Sequence, residues 1–164
     1  MSAKVISKVL EIDNCPKEDL IKALYNARIW EEISPVSKIE ASFTAPNVLF
    51  TKITDNIKIV NVPVNMEGEL VLSDKGEEEG KGRLIEFNVR NNKDVKELEG
   101  NLRIKSLSEK KSKVGVFVHK FVLSSDFLKL FGSAAELTLR TKVTEMLRGL
   151  EKFCNNNNIA ELVS

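Results

Sequence analysis

Apolar residues recur near the end of the chain at Leu128, Phe131, Ala135, Leu139, Val143, Met146, Leu147, Leu150 and Cys154. Steps of three and four are the period of one helix face. Glu136, Arg140, Lys142, Glu145, Arg148 and Lys152 fall on the opposite face, which suits water. The spacing predicts a long amphipathic helix over residues 126–157. Its start has two readings. Asp126 caps one continuous helix, or Ser133 and Glu136 form a capping box after Gly132 and leave residues 126–131 as a separate apolar turn. An apolar face this long needs a broad apolar partner.

The partner is predicted from the chain before it. Residues 4–12 alternate, with Ile6, Leu10 and Ile12 on one face and Val5 and Val9 on the other. Either face can point inward. Pro16 after Asn14 and Cys15 opens a short helix through Leu20, Leu24 and Ala27, with Glu18 and Asp19 in its first turn. Ile29, Trp30 and Ile33 make a second, stopped by Ser34 and Pro35. From Val36 the period becomes two, as Ile39, Ala41 and Phe43 show. Strands follow over 48–54, 57–72, 82–89, 95–106 and 114–124, with turns at 45–47, 55–56, 73–81, 91–94 and 108–113. Pro63 cannot donate to a ladder and predicts an edge position or a bulge. Gly100 marks a bend. The last strand is apolar on both faces, so it is central or covered.

Composition narrows the function classes. The chain has 164 residues, 42% hydrophobic and 30% charged, and one domain over 1–164 is expected. A net charge of +1 gives no case for nucleic acid or an anionic membrane as partner. Cys15 and Cys154 lack the spacing of a disulfide framework or a zinc site. The first residues have no signal-peptide core, and no apolar run approaches the roughly 20 residues that span a bilayer. A cytoplasmic protein without cofactor, metal or stable membrane insertion is expected.

The predicted order is strand, two short helices, about six hairpin-linked strands and a long C-terminal helix. Its most telling stretch runs from Leu10 through Cys15 and Pro16 to Leu20, then on to Leu24 and Trp30. This resembles the helix-grip superfamily of START domains, Bet v 1 allergens and polyketide cyclase-like proteins, and points to a small archaeal branch of it. The resemblance covers nearly the whole chain. It implies an α+β fold in which a curved antiparallel sheet of about seven strands wraps the C-terminal helix. It also implies a hydrophobic small molecule or lipid held between sheet and helix. Gly76, Gly80 and Gly82 stand where the Bet v 1 branch has a glycine-rich loop. Glu77, Glu78 and Glu79 make this one too acidic to cradle phosphate, and a solvated loop is the simpler reading than a cation site.

Candidate lining residues are Trp30, Phe43, Phe50, Met66, Phe87, Phe117, His119, Phe121, Phe127, Phe131, Ala135 and Leu139. His119 is the chain's single histidine and shares a predicted face with Phe117 and Phe121. There it would orient a ligand's polar head or act as acid or base. Phe127 and Phe131 beside Gly132 suggest a movable lid. Lys8 and Arg83 sit on otherwise apolar faces and would meet a ligand carboxylate or carbonyl if inward. Cys154, at helical spacing from Leu147 and Leu150, reads as a small buried hydrophobe rather than a nucleophile. The leading expectation is a non-enzymatic binding protein. The alternatives are a cyclase or aromatase using His119, and a ligand-free module that homodimerises through the last strand.

Overall fold

The computed structural model of the protein describes residues 6–163. Its elements are β1 (Ile6–Ile12), α1 (Lys17–Ala23), α2 (Ala27–Ile33), β2 (Lys38–Ala45), β3 (Val48–Ile57), β4 (Val62–Glu78), β5 (Gly82–Arg90), β6 (Val95–Ser108) and β7 (Lys111–Leu123). Then follow α3 (Ser125–Phe131), a 3-10 turn (Gly132–Ala134), α4 (Ala135–Asn156) and α5 (Ile159–Val163). The strands form one seven-stranded antiparallel sheet in the order β1-β7-β6-β5-β4-β3-β2. This is the predicted α+β arrangement, with the sheet curved around a long C-terminal helix. The predicted start at Lys4, and Val5 with it, lies outside the described residues.

Burial shows which side of each strand meets the helices. Ile6, Leu10 and Ile12 of β1 point inward and Val9 is 49% exposed. Lys8 shares the inward phase, opposite Val116 of β7. On β7, Val114, Val116 and Val118 face in. A register shift between Glu99 and Gly100 of β6 then inserts a residue on β7, so that Phe121 and Leu123 take the inner face beyond it. Gly100 thus sits at the predicted bend. Pro63 lies on a part of β4 that pairs with β3 and has no β5 partner, an edge setting that tolerates its missing N–H.

Several turns differ from expectation. Asp55 and Asn56 are strand residues, and the β3–β4 turn falls at 58–61, where Asn61 takes φ 52°. Asp55 is kept in the sheet because its carboxylate has internal partners, described below. Residues 73–78, predicted as loop, continue β4 past a bulge between Asp74 and Gly76. Ion pairs of Asp74 with Arg83, Glu77 with Lys17 and Glu78 with Arg103 let that acidic stretch stay extended.

The C-terminal helix follows the two-part reading. Ser124 caps α3 by accepting from the N–H of Phe127 at 3.2 Å. The predicted Ser133 capping box does not form. Ser133 belongs to the 3-10 turn, and α4 begins at Ala135 without a side-chain cap. Gly132 has φ 53° and ψ −130°, a conformation open to glycine alone, and this breaks the helix. Gly149 serves a different end. A Cβ there would lie 2.7 Å from the carbonyl oxygen of Ile33, so its absence brings α4 against the end of α2. Glu31 of α2 accepts from the N–H of Ala41 at 2.9 Å and so covers part of the outer edge of β2.

Candidate functional site

The core is divided. One cluster joins Ile12, Leu20, Ile29, Leu72, Ile85, Leu102, Ile104 and Val114 to Leu147, Leu150 and Cys154 of α4. A second joins Ile57 and Val64 to Phe131, with Val60, Val62, Leu123, Phe127 and Ala135 around it. A domain of this size ordinarily has one contiguous core. Between the clusters lie Met66 on β4, Phe121 on β7 and Leu139 on α4. Each occupies the inner face by alternation or helical phase, yet none is fully buried. Ile53, paired with Met66 across the β3–β4 ladder, is also only partly buried. These apolar side chains are incompletely covered and belong to neither cluster.

The other predicted lining residues divide by position. Phe43 and Phe87 pack on the larger cluster, Phe43 with its ring 6.3 Å from that of Tyr25. Phe127 and Phe131 pack with ring centres 5.4 Å apart and planes tilted by 49°, and they lie with Ala135 in the smaller cluster. Trp30 is held in place by its indole N–H, which donates to the carbonyl of Leu24 at 2.8 Å. Phe50 belongs to the opposite phase of β3 from Leu49 and Ile53, so it faces outward. Phe117 and His119 are corrections. Phe117 lies on the outer face, where its ring covers Gly115 beside Val9. His119 is exposed at the β7 bulge. The extra residue breaks the alternation that had placed both on one face with Phe121.

The charged candidates also separate. Arg83 is an inner-face residue, but Asp74 takes its guanidinium through contacts of 2.8 and 2.6 Å. The Arg83 hydrogen bonds outweigh partial burial and hold the Asp74 carboxyl below its ordinary range. Lys8 is partly buried on the inner face, and no carboxylate pairs with it among the described residues. Cys15 and Cys154 are fully buried together. Hydrogen bonding to Cys154, with burial, pushes the Cys15 thiol up, so it stays protonated and unreactive at neutral pH. Glu77 and Glu78 are spent on ion pairs, and no group of three metal-ligating side chains exists among the described residues.

A cleft of about 390 Å³ opens between the end of β3, the link from α2 to β2 and α4. Its walls include Val36, Ser37, Asp55, Ile57, Lys58, Thr138, Thr141, Lys142 and Glu145. Asp55 is 8% exposed on the inner face of β3, between Ile53 and Ile57. Its Oδ1 accepts from the backbone N–H and the hydroxyl of Ser37 at 3.2 and 3.0 Å. Its Oδ2 lies 2.7 Å from Nζ of Lys142, an ion pair too oblique to be a good hydrogen bond. Burial pulls the Asp55 pKa upward, but Lys142, the Asn56 backbone and Ser37 together hold it below the ordinary value. Lys142 also donates to the carbonyl of Pro35 at 2.6 Å. Sequence reasoning missed this pair. The sequence pattern places Asp55 in a turn and Lys142 on a solvated helix face. The available signal was Asp55 in phase with Ile53 and Ile57, a carboxylate on an apolar stripe.

With a sheet gripping a C-terminal helix and two short helices after the first strand, the chain has the helix-grip fold of the START and Bet v 1-like proteins. No family model matches it, and no curated protein matches it in sequence. Solved structures do. A START superfamily protein from Mycobacterium smegmatis has TM-score 0.64 and 11% identity, covering 92% of this chain and 97% of that one. The Zhui aromatase/cyclase from Streptomyces sp. R1128 has TM-score 0.61 and 13% identity, covering 95% and 91%. Norcoclaurine synthase from Thalictrum flavum, solved with dopamine and hydroxybenzaldehyde, has TM-score 0.64 and 12% identity, covering 96% and 88%.

Proposed function

We propose that this protein binds a hydrophobic small molecule or lipid between the sheet and α4, as one domain and without catalysing a reaction. The observation that carries this is the divided core, with Met66, Phe121, Leu139 and Ile53 partly uncovered and in neither cluster. Covering those side chains with an apolar ligand gains roughly 25 cal/mol per Å² before the costs of binding. α3, hinged at Gly132 and carrying Phe127 and Phe131, is the lid through which the ligand enters. The similar structures include one solved with small aromatic molecules, which supports the fold's capacity to hold such compounds. Lining by Phe43, Phe87 and Trp30 is peripheral in this reading, and His119 and Phe117 take no part.

The cyclase alternative needs an acid or base such as His119 facing the cavity with a polar partner in reach, and His119 is exposed. No helix among the described residues is long and apolar enough to cross a membrane. A cytoplasmic location and a homodimer remain part of the proposal. The dimer contact is the outer face around Val9 and Phe117. Sedimentation at micromolar concentration tests it, with a monomer counting against it.

Native mass spectrometry of the purified protein, followed by organic extraction, tests the binding reading. Displacement of 1-anilinonaphthalene-8-sulfonate by apolar compounds complements it. A co-purified apolar compound, or saturable one-site probe binding, is the expected result. No bound compound together with no probe binding overturns it.

A further inference from the structure

The Asp55–Lys142 pair presents something the apolar gap lacks, a charged donor fixed in place. An ammonium has three N–H groups. Asp55 and the Pro35 carbonyl engage Nζ of Lys142 at 2.7 and 2.6 Å. One N–H is therefore directed at the Pro35 carbonyl, while the Asp55 carboxylate holds the ammonium by charge without taking a well-aligned N–H. The side chain keeps 28% of its exposure and lines the cleft, so N–H capacity remains on that side. Both anchors are well supported. Asp55 is itself fastened by Ser37, and Pro35 follows the end of α2. A donor held this way loses little entropy on meeting a ligand.

Charge selects the kind of acceptor. Lys58 and Lys142 line the cleft with Asp55 and Glu145, two of each sign. An anion entering there finds no net positive field, whereas a neutral oxygen acceptor needs only the one N–H. The position fits the apolar gap as well. Asp55 is one same-face step along β3 from Ile53, whose partner is Met66. On α4, Thr138 and Lys142 flank Leu139.

We propose that Lys142 is the polar anchor of the ligand site, donating to a neutral carbonyl oxygen on an otherwise hydrophobic ligand. The ligand class is then an apolar ketone, ester or amide rather than a carboxylate. This rests on the sheet–helix binding reading and adds to it a residue and a functional group.

Three matched probes test it on the wild-type protein: 2-acetylnaphthalene, 2-ethylnaphthalene and 2-naphthoate, each measured by displacement of 1-anilinonaphthalene-8-sulfonate. The expected result is 2-acetylnaphthalene binding about tenfold or more tighter than either of the others, the usual scale for a hydrogen bond to a charged donor. The double variant Asp55→Asn with Lys142→Met removes the donor without leaving a buried charge unpaired. In it, 2-acetylnaphthalene falls to the affinity of 2-ethylnaphthalene, and 2-ethylnaphthalene is unchanged. Equal wild-type affinity for the acetyl and ethyl probes overturns the anchor while the apolar site stands. Tighter binding of 2-naphthoate overturns the carbonyl class. Failure of the fluorescent probe itself to bind overturns the underlying reading, and the anchor falls with it.

Discussion

At the scale of single residues, Asp55 and Lys142 carry the clearest consequences. Lys142→Met leaves a nearly buried carboxylate without its counter-ion. The expected loss is about 1 to 3 kcal/mol, below the range for a fully buried pair because Lys142 is partly solvated. Urea unfolding at pH 7 measures it. The same carboxylate makes stability depend on pH. Its folded pKa is depressed relative to the unfolded chain, so its contribution is present above about pH 4 and is lost as pH falls through the folded value. Asp55→Asn therefore flattens the fall in urea midpoint below pH 4, and an unchanged slope would show that Asp55 is not linked to folding. Asp74, held down by Arg83, titrates in the same direction and supplies part of the remaining slope. Neither ion pair was legible from spacing. Their partners are distant in sequence, as with Asp55 and Lys142, or separated by a turn, as with Asp74 and Arg83.

At the scale of elements, periodicity was a good guide where a face is buried continuously. The apolar stripe of α4, the second short helix and the alternation of β6 appear where the pattern placed them, whereas α1 stops at Ala23, short of Leu24 and Ala27, and β4 starts later and runs further than expected. It was a poor guide where one residue changes the phase. The bulge on β7 turned His119 from an inner candidate into an exposed residue, and no feature of Phe117 to Phe121 announces it. Helix breaks depend on single backbone conformations in the same way. Gly132→Ala forces a β-carbon into glycine-only space and should cost about 1 to 2 kcal/mol, read by thermal or urea unfolding. If Gly132 is the lid hinge, the variant also slows probe association measured by stopped-flow. Gly149→Val drives side-chain atoms into the Ile33 carbonyl and should destabilise by about 1 to 3 kcal/mol through displacement of α2 from α4.

At the scale of the whole molecule, the helix-grip arrangement was legible because element order and element type suffice to define it. The gap was not, because incomplete packing depends on how far the two clustered ends hold sheet and helix apart. Filling it is a direct check. Leu139→Trp places a larger apolar side chain between Met66 and Phe121, and should abolish probe binding while leaving stability equal or higher. A loss of more than about 1 kcal/mol would mean that the space is already filled. The sheet's order has a further consequence, for how the molecule is made. The strands from β2 to β7 pair with neighbours in the order they are synthesised, whereas β1 pairs with β7, Ile6 opposite Val118. A contact so distant along the chain forms slowly, since a long loop must close before the pairing rewards it. On the ribosome, β1 must wait for nearly the whole sheet to emerge, with Ile6, Leu10 and Ile12 without their sheet partner until β7 arrives.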